Sequence, residues 1–237
     1  MSIIAMIPAR MGSERLKLKN LALLNGKPLI SYAIEAAKQS GIFEKVVLNS
    51  DGEIFRKVAQ RYGVDFYHRP EKLGSSETKS DDVVYDFMLA HPSDIVAWVN
   101  PISPLQTGDE VRKVISYFVD HELDSLITVK DEKVHCVYQD KPVNFTLEGQ
   151  FAKTQDLTPV QSFVYSIMMW RSEPFKRAYE NQGYALMSGK LGYFPVSDLS
   201  AIIIKTDADL LMAESMLRAG SGSRGVEVHY DQLVGEA

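Results

Sequence analysis

Four cations, Arg10, Arg15, Lys17 and Lys19, fall within ten residues of a chain whose net charge is −5. They lie in the segment Ile7-Pro8-Ala9-Arg10-Met11-Gly12-Ser13-Glu14-Arg15-Leu16-Lys17-Leu18-Lys19-Asn20, which also carries Gly12 and Ser13. Arg grips a phosphate with two parallel hydrogen bonds, and Lys acts as a point charge. Gly12 allows a ligand close to the backbone, and Ser13 adds a hydroxyl and an N–H. A solvated basic turn would look the same on charge alone. What favours a phosphate loop is the apolar run Ile3 to Ile7 just before it, because ligands of open α/β sheets bind beyond the carboxyl ends of strands. The spacing G-x-x-x-x-G-K-[ST] is absent, so this is not a Walker loop.

The elements that must hold this loop follow from apolar periodicity. Strands are expected at Ile3–Ile7, Val46–Leu48, Asp65–Tyr67, Ile95–Val99 and Ser125–Val129. Helices are expected at Pro28–Gln39, Glu53–Tyr62, Asp82–Ala90 and Glu110–Asp120. In the last of these, Val111, Val114, Ile115, Phe118 and Val119 share one face. The alternation of strand and helix predicts an α/β fold with a doubly wound, mainly parallel sheet. After Lys130 the rhythm breaks. Short strand-like pieces at Val134–Tyr138, Val143–Leu147 and Phe163–Trp170 suggest a small β-hairpin arm over about 130–170. Val196 and Ala201–Ile204 return to strand character, and Thr206–Arg218 closes as a helix. Residues 1–218 are expected to form a single domain, with 219–237 as a flexible tail by its Gly/Ser composition.

A chain of 237 residues, 45% hydrophobic, can bury one large α/β core. The acidic balance argues against general nucleic-acid binding, which needs clustered Lys and Arg. The single cysteine, Cys136, excludes an intrachain disulfide and suits a reducing compartment. The short apolar start is interrupted by Pro8 and Arg10, unlike a secretory leader, and no apolar run reaches the length of a membrane span. A soluble, cytoplasmic protein is expected.

Five further segments, in order, give the chain a specific likeness. The first loop, Asn25-Gly26-Lys27-Pro28-Leu29-Ile30, Asn49-Ser50-Asp51-Gly52-Glu53-Ile54, Arg69-Pro70-Glu71-Lys72-Leu73, Asn100-Pro101-Ile102-Ser103-Pro104-Leu105-Gln106-Thr107 and Thr154-Gln155-Asp156-Leu157 resemble the signature motifs of the acylneuraminate cytidylyltransferases, which make CMP-sialic acids, and of the related CMP-Kdo synthetases. The likeness runs from residue 3 to about 218. It implies a sheet of the nucleotide-diphospho-sugar transferase type. It also implies a reaction in which CMP passes from CTP to the anomeric hydroxyl of an acidic keto-sugar, with release of pyrophosphate. By the same resemblance Arg10 and Lys19 hold the triphosphate, with Ser13 beside them and Asn20 near the nucleotide. Arg69 faces the cytosine, and Ser80 lies near the ribose and base. Asn100 stands where the family has Gln, facing the sugar, with Gln155 on the sugar side. Relatives of this kind commonly pair through arms, which implies a homodimer, and Mg²⁺ is the expected cofactor. Residue by residue, plainer readings stay open: Arg69 as a surface arginine before a proline, Ser80 as a helix cap, Gln155 as a loop pin.

The chain departs from the family pattern at three places. Glu14 replaces a usual Lys, and Asn100 is one methylene shorter than Gln. The family's D-I-D-T, whose acidic residues hold magnesium, reads Ile203-Ile204-Lys205-Thr206 here, so the metal ligands are unknown. Asp207 and Asp209 follow, but Thr206 with Asp209 three residues on reads as a variant capping box, and acidic residues suit a helix N-terminus. Lys205 offers a cation in place of an ion. The expected function is a cytidylyltransferase for a nonulosonic (sialic-type) acid, of reduced activity. The alternatives are a CMP-Kdo synthetase, or a non-catalytic relative that binds nucleotide or sugar.

Overall fold

The computed structural model describes residues 1–13 and 15–220; Glu14 and the segment 221–237 lie outside the described residues. The chain opens with β1 (Ile3–Ala9), every residue of which is buried. Two short strands follow, β2 (Leu23–Leu24) and β3 (Lys27–Pro28), then α1 (Leu29–Ser40). The β2–β3 turn is Asn25-Gly26, at φ 46° and 79°, the positive angles a two-residue hairpin requires. Next come β4 (Lys45–Ser50), α2 (Ile54–Tyr62), β5 (Asp65–His68), α3 (Ser80–Ala90), β6 (Ile95–Val99), α4 (Gly108–Asp120) and β7 (Ser125–Glu132). The small hairpin β8 (Val137–Tyr138) and β9 (Lys141–Pro142) precedes the long β10 (Val160–Arg171). The chain then forms α5 (Ser172–Gln182), β11 (Leu191–Pro195) and α6 (Asp207–Gly220).

Seven strands form one sheet in the order β11-β7-β10-β6-β1-β4-β5. All neighbours are parallel except β10, which runs antiparallel to both β6 and β7. The expected mainly parallel, doubly wound sheet is therefore what forms. Apolar helix faces cover both sides. Ile30, Ala33, Ile34 and Ala37 of α1 and Phe55 and Val58 of α2 pack on one face. There α4 adds Val111, Val114, Ile115 and Phe118. The other face is closed by Val84, Phe87 and Met88 of α3 and Phe175 of α5. Burial on both faces explains why β1 reads as an unbroken apolar run. The chain leaves β1 toward β4 and β5, then returns to β6 on the other side of β1. A crevice opens at such a reversal, beyond the carboxyl ends of β1 and β6.

The region after Lys130 differs from expectation. Phe163–Trp170 is not part of an exposed arm: it belongs to β10, paired with β7 and, from Ile167 on, also with β6 at the centre of the sheet. An apolar strand covered by two neighbours has the same composition as one that needs a partner, so only pairing separates them. The register shifts between Phe163 and Met168, and Tyr165 takes φ 57° at this irregularity. The arm is thus the shorter segment 133–159, with the β8–β9 hairpin at its tip. Val143–Leu147 and Ala201–Ile204 are irregular rather than extended. The last strand is Leu191–Pro195 instead, and α5 fills a stretch whose periodicity gives little signal. The closing helix α6 runs to Gly220.

Candidate functional site

A cavity of about 320 Å³ opens at the reversal point. It is bounded by the end of β1 (Pro8, Ala9, Arg10), the first loop, the segment after β5, the start of α3, the end of β6 and Lys205. Of the sequence-expected residues, Arg10, Ser13, Lys19, Asn20, Arg69, Ser80 and Asn100 all line it. Gln155 does not: it lies in the arm, where its carbonyl accepts from Lys133 Nζ at 2.9 Å. Lys17 is exposed and outside the cavity. Arg15 and Lys205, which the sequence offered as cations for phosphate, line it as well, and Trp98 lines it without having been assigned a place there by the sequence.

The first loop is held from below by Asp51, whose Oδ1 accepts from the Met11 N–H at 3.2 Å. Asp51 can reach that position because Gly74 leaves room: a Cβ there would sit 2.3 Å from Asp51 Oδ2. Leu18 turns the chain at φ 52°, and Lys19–Leu21 form a single 3₁₀ turn. Lys19 then reaches across to donate from Nζ to the Ile204 carbonyl at 3.1 Å. Burial, then the nearby Arg15 and Arg10, lowers the Lys19 pKa from its ordinary 10.5.

Arg69 is 4% exposed, which rules out the surface-arginine reading. Its backbone N–H extends the β4 edge by donating to the Ser50 carbonyl at 3.0 Å. Its Nη2 donates to the Ala9 carbonyl at 2.9 Å, with Asp51 Oδ1 at 3.5 Å. Its Nε is buried without an acceptor. Burial lowers its pKa and Asp51 opposes that shift; arginine nonetheless stays charged in proteins. Ser80 is the first residue of α3, and the N-cap, Lys79, makes no side-chain cap bond. The helix-cap reading of Ser80 is therefore replaced by a hydroxyl at the cavity wall. Asn100 receives the Ile102 N–H on its Oδ1 at 3.4 Å and donates its own N–H to the Ser166 carbonyl at 2.9 Å.

Among the described residues, five cations, Arg10, Arg15, Lys19, Arg69 and Lys205, line this cavity, and no carboxylate does. In a chain of net charge −5 such a concentration suits a polyanionic ligand. It does not suit a metal held by the protein, because magnesium takes oxygen ligands and usually carboxylates. Two acids that touch lining residues are occupied. Asp51 serves Met11 and Arg69. Asp209 Oδ2 accepts from the N–H groups of Lys205 (2.9 Å) and Thr206 (2.8 Å) and from the Thr206 hydroxyl (2.9 Å). The Asp209 N–H donates back to Thr206 Oγ1 at 3.4 Å. The capping-box reading of Thr206 and Asp209 thus holds. Among the described residues, no group of three or more His, Cys, Asp or Glu could hold a metal.

Fold and cavity define a doubly wound α/β protein with a cation-lined cavity at the sheet reversal. The sequence model of the family described as "Cytidylyltransferase" matches residues 4–187, and the chain belongs to that family. An N-acylneuraminate cytidylyltransferase of Escherichia coli is 37% identical over 117 residues, covering 49% of this chain and 28% of the relative. A pseudaminic acid cytidylyltransferase of Campylobacter jejuni is 36% identical over 128 residues, covering 52% and 55%. The chain thus spans between about a quarter and half of the length of these curated relatives. Among solved structures, a CMP:2-keto-3-deoxy-manno-octonic acid synthetase complexed with CTP superposes with a TM-score of 0.71 at 16% identity. That match covers 93% of this chain and 100% of the other, and establishes the shared fold.

Proposed function

We propose that this chain transfers CMP from CTP to the anomeric hydroxyl of an acidic, sialic-type nonulosonic sugar. The observation that carries the reading is the cation-lined cavity at the ends of β1 and β6, with Arg69 buried beside it. Membership of the cytidylyltransferase family and the names of the two relatives support the donor and the class of acceptor.

In this reading Arg10 and Lys19 hold the triphosphate, with the Ser13 hydroxyl as a further donor and Asn20 beside them. Arg69 presents its unpartnered Nε–H to a base acceptor, and Ser80 serves the ribose and base. Asn100, at the end of β6, faces the sugar. The sugar hydroxyl oxygen attacks the α-phosphorus; the bond from the α-phosphorus to the bridging oxygen breaks, and pyrophosphate leaves with the electron pair. No covalent enzyme intermediate is needed, so the side chains act by positioning and by offsetting negative charge as it shifts to the leaving group.

The exposed apolar groups on the arm, among them Tyr138, Leu147 and Phe151, support a homodimer. Consumption of CTP, a nucleotide of the cell interior, argues for the cytoplasm. No helix among the described residues is long and apolar enough to cross a membrane. The test is pyrophosphate release from CTP across sialic, pseudaminic, legionaminic and Kdo acceptors. Release with a nonulosonic acid supports the proposal, and release with Kdo alone assigns the chain to that branch. CTP binding without release for any acceptor identifies a nucleotide-binding relative that has lost catalysis.

A further inference from the structure

The residues around the cavity leave a question that the transfer reaction alone does not answer: what offsets the charge of the triphosphate. Among the described residues, five side-chain cations line the space and no carboxylate does. A metal-free triphosphate carries about four negative charges, and a bound magnesium removes two of them. With Arg69 paired to Asp51, the other four cations match the free anion in charge and overcompensate the magnesium complex. A divalent ion placed among these cations would be repelled by each and would find no carboxylate to pull it in.

Lys205 is fixed there by construction. The Ile204 N–H donates to the Ile102 carbonyl at 2.8 Å, and the Ile204 carbonyl accepts from Lys19 Nζ at 3.1 Å. Asp209 holds the Lys205 N–H at 2.9 Å. Further back, the Ser197 N–H donates to Glu110 at 2.7 Å, the Ser200 hydroxyl bonds the same carboxylate, and the Ser103 hydroxyl bonds the Ser200 carbonyl. The segment that delivers Lys205 is thus stitched to β6's exit loop, to α4 and to the first loop. The backbone at Lys205 is thereby held at the cavity, and its exposed side chain lines the space.

We infer that the cavity binds its nucleotide as the metal-free triphosphate, with Lys205 supplying the charge that a protein-held magnesium ion would otherwise supply. The identity of the nucleotide rests on the transferase reading above; the preference for the metal-free form rests on the cavity itself.

Calorimetric titration of the full chain tests this, using CTP in EDTA and in saturating magnesium at matched ionic strength. The wild type is expected to bind at least as tightly in EDTA. Lys205→Asp is expected to lose about tenfold in EDTA and to regain affinity when magnesium is added. Should that variant fail to fold by circular dichroism, Lys205→Gln is expected to lose at least threefold in EDTA. Tighter wild-type binding in magnesium than in EDTA overturns the inference. So does an EDTA affinity that the Lys205 substitution leaves unchanged. Inorganic tripolyphosphate, titrated the same way, separates the two readings. If it prefers EDTA while CTP fails to bind in either buffer, the nucleotide assignment falls and the metal-free site stands. If it binds more tightly with magnesium, the metal-free site falls.

Discussion

Arg69 and Lys19 carry charge at positions where water is scarce, and each pays for this differently. Arg69 is compensated by the Ala9 carbonyl and Asp51, yet keeps one N–H without an acceptor. A buried donor left unpaired costs about 1–3 kcal/mol, a cost that a ligand acceptor removes. Arg69→Lys keeps the charge but loses the planar fork. It should weaken CTP binding by roughly tenfold or more while leaving the melting temperature nearly unchanged; calorimetry with parallel melting curves reads both. Arg10→Ala and Lys19→Ala should each weaken CTP binding by ~1.5–3 kcal/mol, the size of a charge-assisted hydrogen bond. Unchanged affinity in both would remove the loop from the site. Lys19 also predicts a pH effect. Its folded pKa is lowered from 10.5, by burial first. The cost of its charge is therefore present in full below the folded value, and from there up to 10.5 the unfolded chain holds more protons. Wild type should gain stability relative to Lys19→Met as pH rises from neutral toward 10.5, measured by urea unfolding at a series of pH values. A gap that stays constant with pH would mean that Lys19 is solvated like an ordinary lysine.

At the scale of elements, the site depends on how α6 begins. Thr206 and Asp209 close the helix N-terminus reciprocally, and the hydrogen bond from the Lys205 N–H is the leading cause of the lowered Asp209 pKa. A lowered carboxylate pKa contributes stability above the unfolded value of 3.8 and loses it as pH falls through the folded value. Asp209→Ala should cost about 0.5–2 kcal/mol at neutral pH and much less in acid. Asp209→Asn should keep part of that stability, because its amide oxygen can still accept from the Lys205 and Thr206 N–H groups while the charge is lost. If Asp209→Asn instead abolished a magnesium dependence while stability stayed intact, the cap would not be its main role. Glu110 on α4 acts on the same segment from the other side through Ser197 and Ser200. Glu110→Ala should release the path to Lys205 and weaken CTP binding by about threefold to tenfold with unchanged secondary structure, since a charge is useful to a ligand only where it is held. Affinity equal to wild type would show that Lys205 is positioned without this clamp.

For the whole molecule, the open matter is the arm. His135, Phe145 and Phe151 form a small aromatic group of their own, with His135 and Phe151 stacked at 4.2 Å. Tyr138 (69% exposed), Leu147 (79%) and Phe151 (78%) still face solvent. A second copy of the chain would cover them. Light scattering at micromolar concentration should give twice the chain mass, and Tyr138→Glu combined with Phe151→Glu should return it to a monomer with a normal melting curve. A monomeric wild type would rule the dimer out. Ile167–Trp170 supply no such surface, because they are enclosed between β6 and β7.

The family likeness supplied Arg69, Ser80 and Asn100; sequence chemistry by itself determined the alternation of strand and helix, the position of the cationic loop after β1 and the capping pair Thr206 and Asp209. Each is a local matter: apolar period, turn chemistry, or charge beside a strand end. The tertiary structure decided what depends on distant partners. It turned Phe163–Trp170 from an arm into a central strand, because burial on two sides leaves no mark that composition can distinguish from an exposed run. It took Gln155 out of the site, since a motif's neighbour in sequence need not be its neighbour in space. It brought Trp98 and Arg15 to the cavity wall, and it set Lys205 beside Lys19 through a single hydrogen bond across 185 positions of chain. The residues that could bind phosphate were legible from their chemistry; that they meet in one cavity with no acid among its described lining residues became visible only when the chain had folded around it.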